Sequence, residues 1–165
     1  MIDVGLETLA RRVGVQLAAR GLMLATAESC TGGWVAAALT AIEGSSAWFE
    51  RGFVTYSNAA KESMLGVRAA TLTAHGAVSE PVATEMAVGA LDHSQAQVAL
   101  SITGVAGPAG GTPDKPVGTV CFGWAGPAGA IRAVTRHFAG DRTEVRRQAV
   151  IYALAELLAI VENPR

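Results

Sequence analysis

Ser29 stands in the run Thr26-Ala27-Glu28-Ser29-Cys30-Thr31-Gly32-Gly33, after an apolar stretch and before Trp34-Val35-Ala36-Ala37-Ala38-Leu39. That order predicts a strand, a sharp turn and a helix. A hydroxyl on such a turn lies beside free helix N–H groups and the positive end of the helix dipole, which suits a nucleophile with an oxyanion to stabilise. The plainer reading is that Ser29 or Thr31 caps the helix. Two glycines crowded against Ser29, Cys30 and Thr31 allow a ligand or backbone to approach closely, which capping does not require. The run is not the Gly-x-Ser-x-Gly elbow, because Ala27 and Thr31 occupy its glycine positions.

A serine nucleophile needs a base. His75, His93 and His137 are scattered, and only His137 falls near a predicted strand end, so a Ser-His-Asp arrangement has little support. A lysine can serve if burial disfavours its charged form. The chain has two lysines against eleven arginines. Lys61 lies one turn into a predicted helix, within Tyr56-Ser57-Asn58-Ala59-Ala60-Lys61, whereas Lys115 sits in a Gly/Pro loop. Lys61 is the better base candidate, with a solvated helix lysine as the competing reading. Tyr56 could orient that lysine, bind substrate or simply pack. Ser57 is four residues from Lys61, one more than Ser-x-x-Lys requires, and fits a turn better.

Two further segments could bind an anion. Ser101-Ile102-Thr103-Gly104 runs into Val105-Ala106-Gly107-Pro108-Ala109-Gly110-Gly111, with the Ser101 and Thr103 hydroxyls on one side and glycines that could wrap N–H groups around phosphate. The loop matches no standard phosphate fingerprint. Arg142 and Arg146 share a helical face, with Arg147 adjacent; they read either as an anion pocket or as a solvated charged face.

These residues need a scaffold. Ile2, Leu6, Leu9, Val13 and Leu17 repeat at helical spacing and stop at Gly21, giving helix 2–20. Strand 22–27, helix 31–42, strand 51–56, a short helix capped by Asn58 and closed by Gly66, and a helix opened by Ser79-Glu80-Pro81 and running to about Leu91 follow. Residues 97–103 read as a strand covered on both faces, 104–116 as a loop, 117–125 and 130–138 as an antiparallel hairpin, and Asp141 as the cap of a last helix to about Val161. The pattern predicts one domain over 1–165. Its fold class is a three-layer α/β/α sandwich on a mixed, mostly parallel sheet of about five strands. The suspect segments all follow strands, where ligands gather in such sheets.

Composition narrows the partners. Half the residues are hydrophobic and 16% are charged, against roughly 25% in ordinary soluble domains, so a homo-oligomer, dimer-based, is expected. The net charge of −1 offers no basic field for nucleic acid or anionic membrane. No apolar run reaches the roughly 20 residues of a membrane span, and the first segment is amphipathic, so the expected location is cytoplasmic. Cys30 and Cys121 lack metal or redox spacing, and no His/carboxylate set has ligand spacing. Neither a metal nor a cofactor is expected.

Six blocks, Ala27–Gly33, Gly44–Ser46, Gly52–Asn58, Gly76–Ser79, Thr103–Pro108 and Pro116–Val120, occur in an order that resembles the C-terminal domain of the competence-damage protein CinA. Within that family the chain is most similar to stand-alone nicotinamide-nucleotide amidases. The resemblance implies hydrolysis of the carboxamide of nicotinamide mononucleotide (NMN) to nicotinate mononucleotide and ammonia, a salvage step toward NAD. It implies Ser29 as nucleophile and Lys61 as general base, with Tyr56, Thr103 and Arg142 on positions tied to activity or substrate binding. The nucleotide-hydrolysing N-terminal domain of full-length CinA proteins has no counterpart here, so no pyrophosphatase activity is expected. On this footing Cys30, Thr31, Gly32 and Gly104 would border the substrate, their N–H groups holding the oxyanion. Thr103 would donate to the oxyanion or carboxamide, and Arg142 would hold the phosphate. Cys30, at a helix N-terminus that would lower its pKa, is the rival nucleophile. A non-catalytic nucleotide-binding module, or an amidase for another small amide, are the alternatives; substrate binding without ammonia release would select the first, and preference for nicotinamide or glutamine the second.

Overall fold

The computed structural model describes residues 3–164; Ile2, expected at the start of the first helix, lies outside them. Helix α1 (Val4–Ala19) is capped by Asp3, and strand β1 (Leu24–Glu28) follows. Then come α2 (Trp34–Thr40), β2 (Phe49–Val54), α3 (Asn58–Leu65), α4 (Ala69–His75) and α5 (Glu80–Asp92). Strands β3 (Val98–Gly104), β4 (Thr119–Ala125) and β5 (Ile131–His137) lead to α6 (Arg142–Glu162). The sheet order is β2-β1-β3-β4-β5. Strand β1 pairs parallel with β2 and β3, and β4 runs antiparallel between β3 and β5. Four strands therefore point one way, as the sequence predicts.

Helices α1, α2 and α6 bury Leu6, Val13, Leu17, Val35, Leu39, Leu154 and Leu157 on one face of the sheet. Helices α3, α4 and α5 close the other with Leu65, Leu72, Val82 and Met86. The central strands β1, β3 and β4 are buried along nearly their whole length, which their continuous apolar runs dictate. Phe122 packs against Trp124 and Tyr152 at centroid separations of 5.8 and 4.8 Å, and fixes α6 over the hairpin end of the sheet. Gly89 lets α5 approach α3 so closely that a Cβ there would lie 2.0 Å from the Leu65 carbonyl oxygen.

Several boundaries differ from the sequence reading: β1 spans 24–28 rather than 22–27, β2 spans 49–54 rather than 51–56, β4 begins at Thr119 rather than 117, and α2 ends at Thr40 rather than 42. Helix α2 begins at Trp34 rather than Thr31, because Gly32 and Gly33 adopt φ of +60° and +103°, left-handed values that end any helical run. Ser57, not Asn58, caps α3, its hydroxyl accepting from the Ala60 N–H at 3.0 Å. Helix α4 was not anticipated; it is short and has no side-chain cap. Because β1, β2 and β3 are parallel and Glu28 stands in register with Val54 and Ile102, their C-terminal ends meet at one edge of the sheet. The segments that follow them converge there.

Candidate active site

Ser29 leaves the end of β1 with its N–H donating to the Ile102 carbonyl at 2.9 Å, while its own carbonyl accepts from the Gly32 N–H at 3.0 Å. It caps nothing. Position Gly33 precedes α2 without a side-chain cap, and the helix N-terminus is instead filled by Glu28. The Glu28 carboxylate accepts from the Val35 and Ala36 N–H groups at 2.9 and 3.1 Å and from the Thr31 hydroxyl at 2.6 Å. The expected use of this helix end for an oxyanion is thereby overturned, since its N–H groups already serve a buried anion.

Lys61 is the decisive side chain. It lies on the inner face of α3, four residues before buried Leu65, and is 1% exposed, so the solvated reading fails. Its Nζ lies 3.0 Å from Ser29 Oγ, 3.0 Å from the Thr55 carbonyl oxygen and 3.2 Å from that of Tyr56. Burial lowers its pKa from the 10.5 of a free lysine, with no carboxylate among the causes to counter it. A neutral amine has two N–H bonds and one lone pair. With the Thr55 and Tyr56 carbonyls accepting those two hydrogens, a neutral Lys61 would turn its lone pair toward the Ser29 hydroxyl.

Both side chains line a cavity of about 280 Å³. Its wall includes Cys30, Tyr56, Asn58, Ala77, Thr103, Gly104, the 105–110 loop and Arg142. No histidine lines it; His137 faces a second cavity and pairs with the Thr119 hydroxyl at 3.2 Å. The Thr103 hydroxyl donates to the Ala77 carbonyl at 3.0 Å, so toward the cavity it offers an acceptor, the reverse of the donor role expected. Burial pushes the Cys30 thiol up to about 12, against the lowering expected at a helix N-terminus. Arg142 donates to the Gly107 carbonyl at 2.8 Å and to the Tyr56 hydroxyl at 3.3 Å, at the exposed mouth.

Not every expected residue is present in the wall. Thr31 and Gly32 do not line the cavity: Thr31 is turned to Glu28, and Gly32 shapes the turn. Arg146, one turn beyond Arg142, also points elsewhere. Asn58, Ala77 and Val78 are in the wall without being among the expected site residues, although the blocks Gly52–Asn58 and Gly76–Ser79 contain all three.

Residues 6–161 match the model of the CinA C-terminal domain. The chain belongs to that family. It is 59% identical over 159 residues to the nicotinamide-nucleotide amidohydrolase PncC of Escherichia coli (strain K12), covering 95% of each chain. It is 52% identical over 158 residues to PncC of Enterobacter agglomerans, covering 96% of each. Among solved structures of the family, the competence/damage inducible protein CihA from Agrobacterium tumefaciens superposes with a TM-score of 0.94 at 47% identity, covering 99% of both chains. Among the described residues no helix is long and apolar enough to cross a membrane.

Proposed function

We propose that this protein hydrolyses the carboxamide of nicotinamide mononucleotide, giving nicotinate mononucleotide and ammonia, by a Ser29–Lys61 mechanism. The observation that carries the mechanism is the buried Lys61 amine, 3.0 Å from Ser29 Oγ with two backbone carbonyls on its remaining sides. The substrate follows from 59% identity along 95% of a nicotinamide-nucleotide amidohydrolase.

In this reading neutral Lys61 accepts the Ser29 proton as Oγ attacks the carboxamide carbon. The carbonyl electron pair moves onto oxygen. Among the described residues the cavity wall holds backbone N–H groups that donate to no protein oxygen, among them those of Cys30, Ala106 and Gly107 together with Ala77, Val78, Ala109 and Gly110, and we assign the oxyanion to the first three. When the tetrahedral intermediate collapses, the C–N bond breaks and ammonia departs with the proton held by Lys61. Water, losing a proton to Lys61, then attacks the ester carbon and releases Ser29. Thr103 accepts from the carboxamide N–H, and Arg142 with the glycine loop takes the phosphate at the mouth.

Purified protein should release ammonia from NMN in step with nicotinate mononucleotide, and release little from nicotinamide or glutamine. NMN binding in a calorimeter without ammonia release would overturn the reading. We read the site as part of one domain over 1–165. The low charge and exposed Val54, Tyr56, Val117 and Ile131 support a dimer-based homo-oligomer, to be checked by light scattering.

A further inference from the structure

The turn carrying Ser29 is gripped from two sides by charged groups that do not line the cavity. From the α6 side, Arg146 Nε donates to the Cys30 carbonyl at 3.0 Å and Nη2 to the Thr31 carbonyl at 3.3 Å. Its guanidinium lies over the Trp34 ring, 5.5 Å from the centroid. From the β1 side, buried Glu28 ties the Thr31 hydroxyl to the first N–H groups of α2. Ser29 lies between these two attachments.

A buried carboxylate is costly unless its oxygens are bonded, and Gly33, at φ +103°, brings no side chain that could cap this helix in its place. What Glu28 adds is a rigid link between the residue before Ser29 and the helix after it. Arg146 adds direction: peptide planes are rigid, so turning the Cys30 and Thr31 carbonyls toward α6 turns the N–H groups of the same peptides the other way. Lys61 is fixed independently, by the β2–α3 connection. The Oγ to Nζ separation therefore depends on how firmly each turn is held.

We propose that Glu28 and Arg146 are positioning residues that hold Ser29 Oγ within reach of Lys61, neither touching the substrate. The proposal rests on the Ser29–Lys61 reading. It also reassigns Arg146, which shares a helical face with Arg142, from anion recognition to the architecture of the nucleophile.

The test measures kcat and KM for NMN, and the rate at which a fluorophosphonate modifies Ser29, in the wild type and in Arg146→Ala, Arg146→Lys and Glu28→Gln. Each variant is checked by circular dichroism. In Arg146→Ala, kcat and the Ser29 modification rate should fall together about 10- to 100-fold, as a misplaced reacting group requires. KM should stay within about threefold, since the interaction lost is not one with substrate. Arg146→Lys should recover part of the loss, and millimolar guanidinium should partly rescue Arg146→Ala. Glu28→Gln, which sets an amide NH₂ against the Ala36 N–H, should fall about tenfold in kcat with KM unchanged. If Arg146→Ala does not fold, Arg146→Lys and Glu28→Gln decide.

A raised KM with unchanged kcat in the Arg146 variants would place Arg146 on the substrate and overturn the proposal. Wild-type labelling at Ser29 with equal labelling and kcat in all variants would overturn it while leaving the nucleophile in place. No labelling of wild-type Ser29 would overturn the nucleophile assignment and the proposal together.

Discussion

At its closed end the cavity is walled by Ser29, Lys61 and Thr103, whose polar atoms are already bonded to one another or to backbone carbonyls. Its open end, between Tyr56, Arg142 and the 105–110 loop, is exposed; Tyr56 itself is 63% accessible. The two ends face opposite solvation problems. Inside, burial disfavours the charged form of the Lys61 amine and holds it 3.0 Å from the Ser29 hydroxyl. At the mouth the Arg142 guanidinium, bonded to the Gly107 carbonyl and the Tyr56 hydroxyl, has further N–H groups to offer an anion. On the proposed function, chemistry and recognition separate along one cavity, and substitutions at the two ends should be told apart by kcat against KM.

Ser29→Ala and Lys61→Ala should each lower kcat by about a thousandfold or more while the folded protein still binds NMN, because the two act as a unit. Wild-type turnover in either would erase the assignment of chemistry to the closed end. Arg142→Ala should act the other way, raising KM for NMN about 10- to 100-fold through loss of charge-assisted hydrogen bonds, with kcat little changed. A fall in kcat alone would remove the contrast.

The pH profile sharpens it further. Lys61 must be unprotonated to accept the Ser29 proton, and burial lowers its pKa below 10.5. Turnover should therefore rise about tenfold per pH unit up to that lowered value and then level off. The stability linkage has the same sign. Between the lowered value and 10.5 the folded state binds fewer protons than the unfolded one, so stability rises with pH across that window. An acidic-side profile unchanged in form in a Lys61→Arg variant that retains activity would show that another group titrates. The smallest effect belongs to Cys30: with its thiol held neutral, Cys30→Ala should change kcat by less than about twofold. Collapse of activity there would restore it as the rival nucleophile.

The scaffold was legible where period and capping agree. Asp141, accepting from the Glu144 N–H, and Ser79 ahead of Pro81 stand as caps where the sequence places them. The run in β3 is buried on both faces as its continuity requires. Short local pieces were harder. Helix α4 has neither a cap nor a strong apolar stripe, and is held by Leu72 against α5 and by the Thr71 hydroxyl on Glu85. In the site, Ser29 and Lys61 could be named as candidates, but the geometry that distinguishes a base from a solvated lysine is long-range. It comes from carbonyls at Thr55 and Tyr56, which carry no side-chain signal. The contacts of Glu28 and Arg146 escape the sequence for a related reason: a charged residue at a strand end or on a helical face reads as surface until the partner it binds is known.

The two side chains of the proposed pair follow neighbouring strands of unequal security. Ser29 follows β1, flanked on both sides, whereas Lys61 follows β2, one of the two edge strands of the sheet. Peeling away that outer strand would carry the amine off while the aromatic cluster and four strands stayed assembled. Mild heat or urea should consequently extinguish catalysis ahead of the main unfolding transition, and the sheet margin would act as the enzyme's fuse.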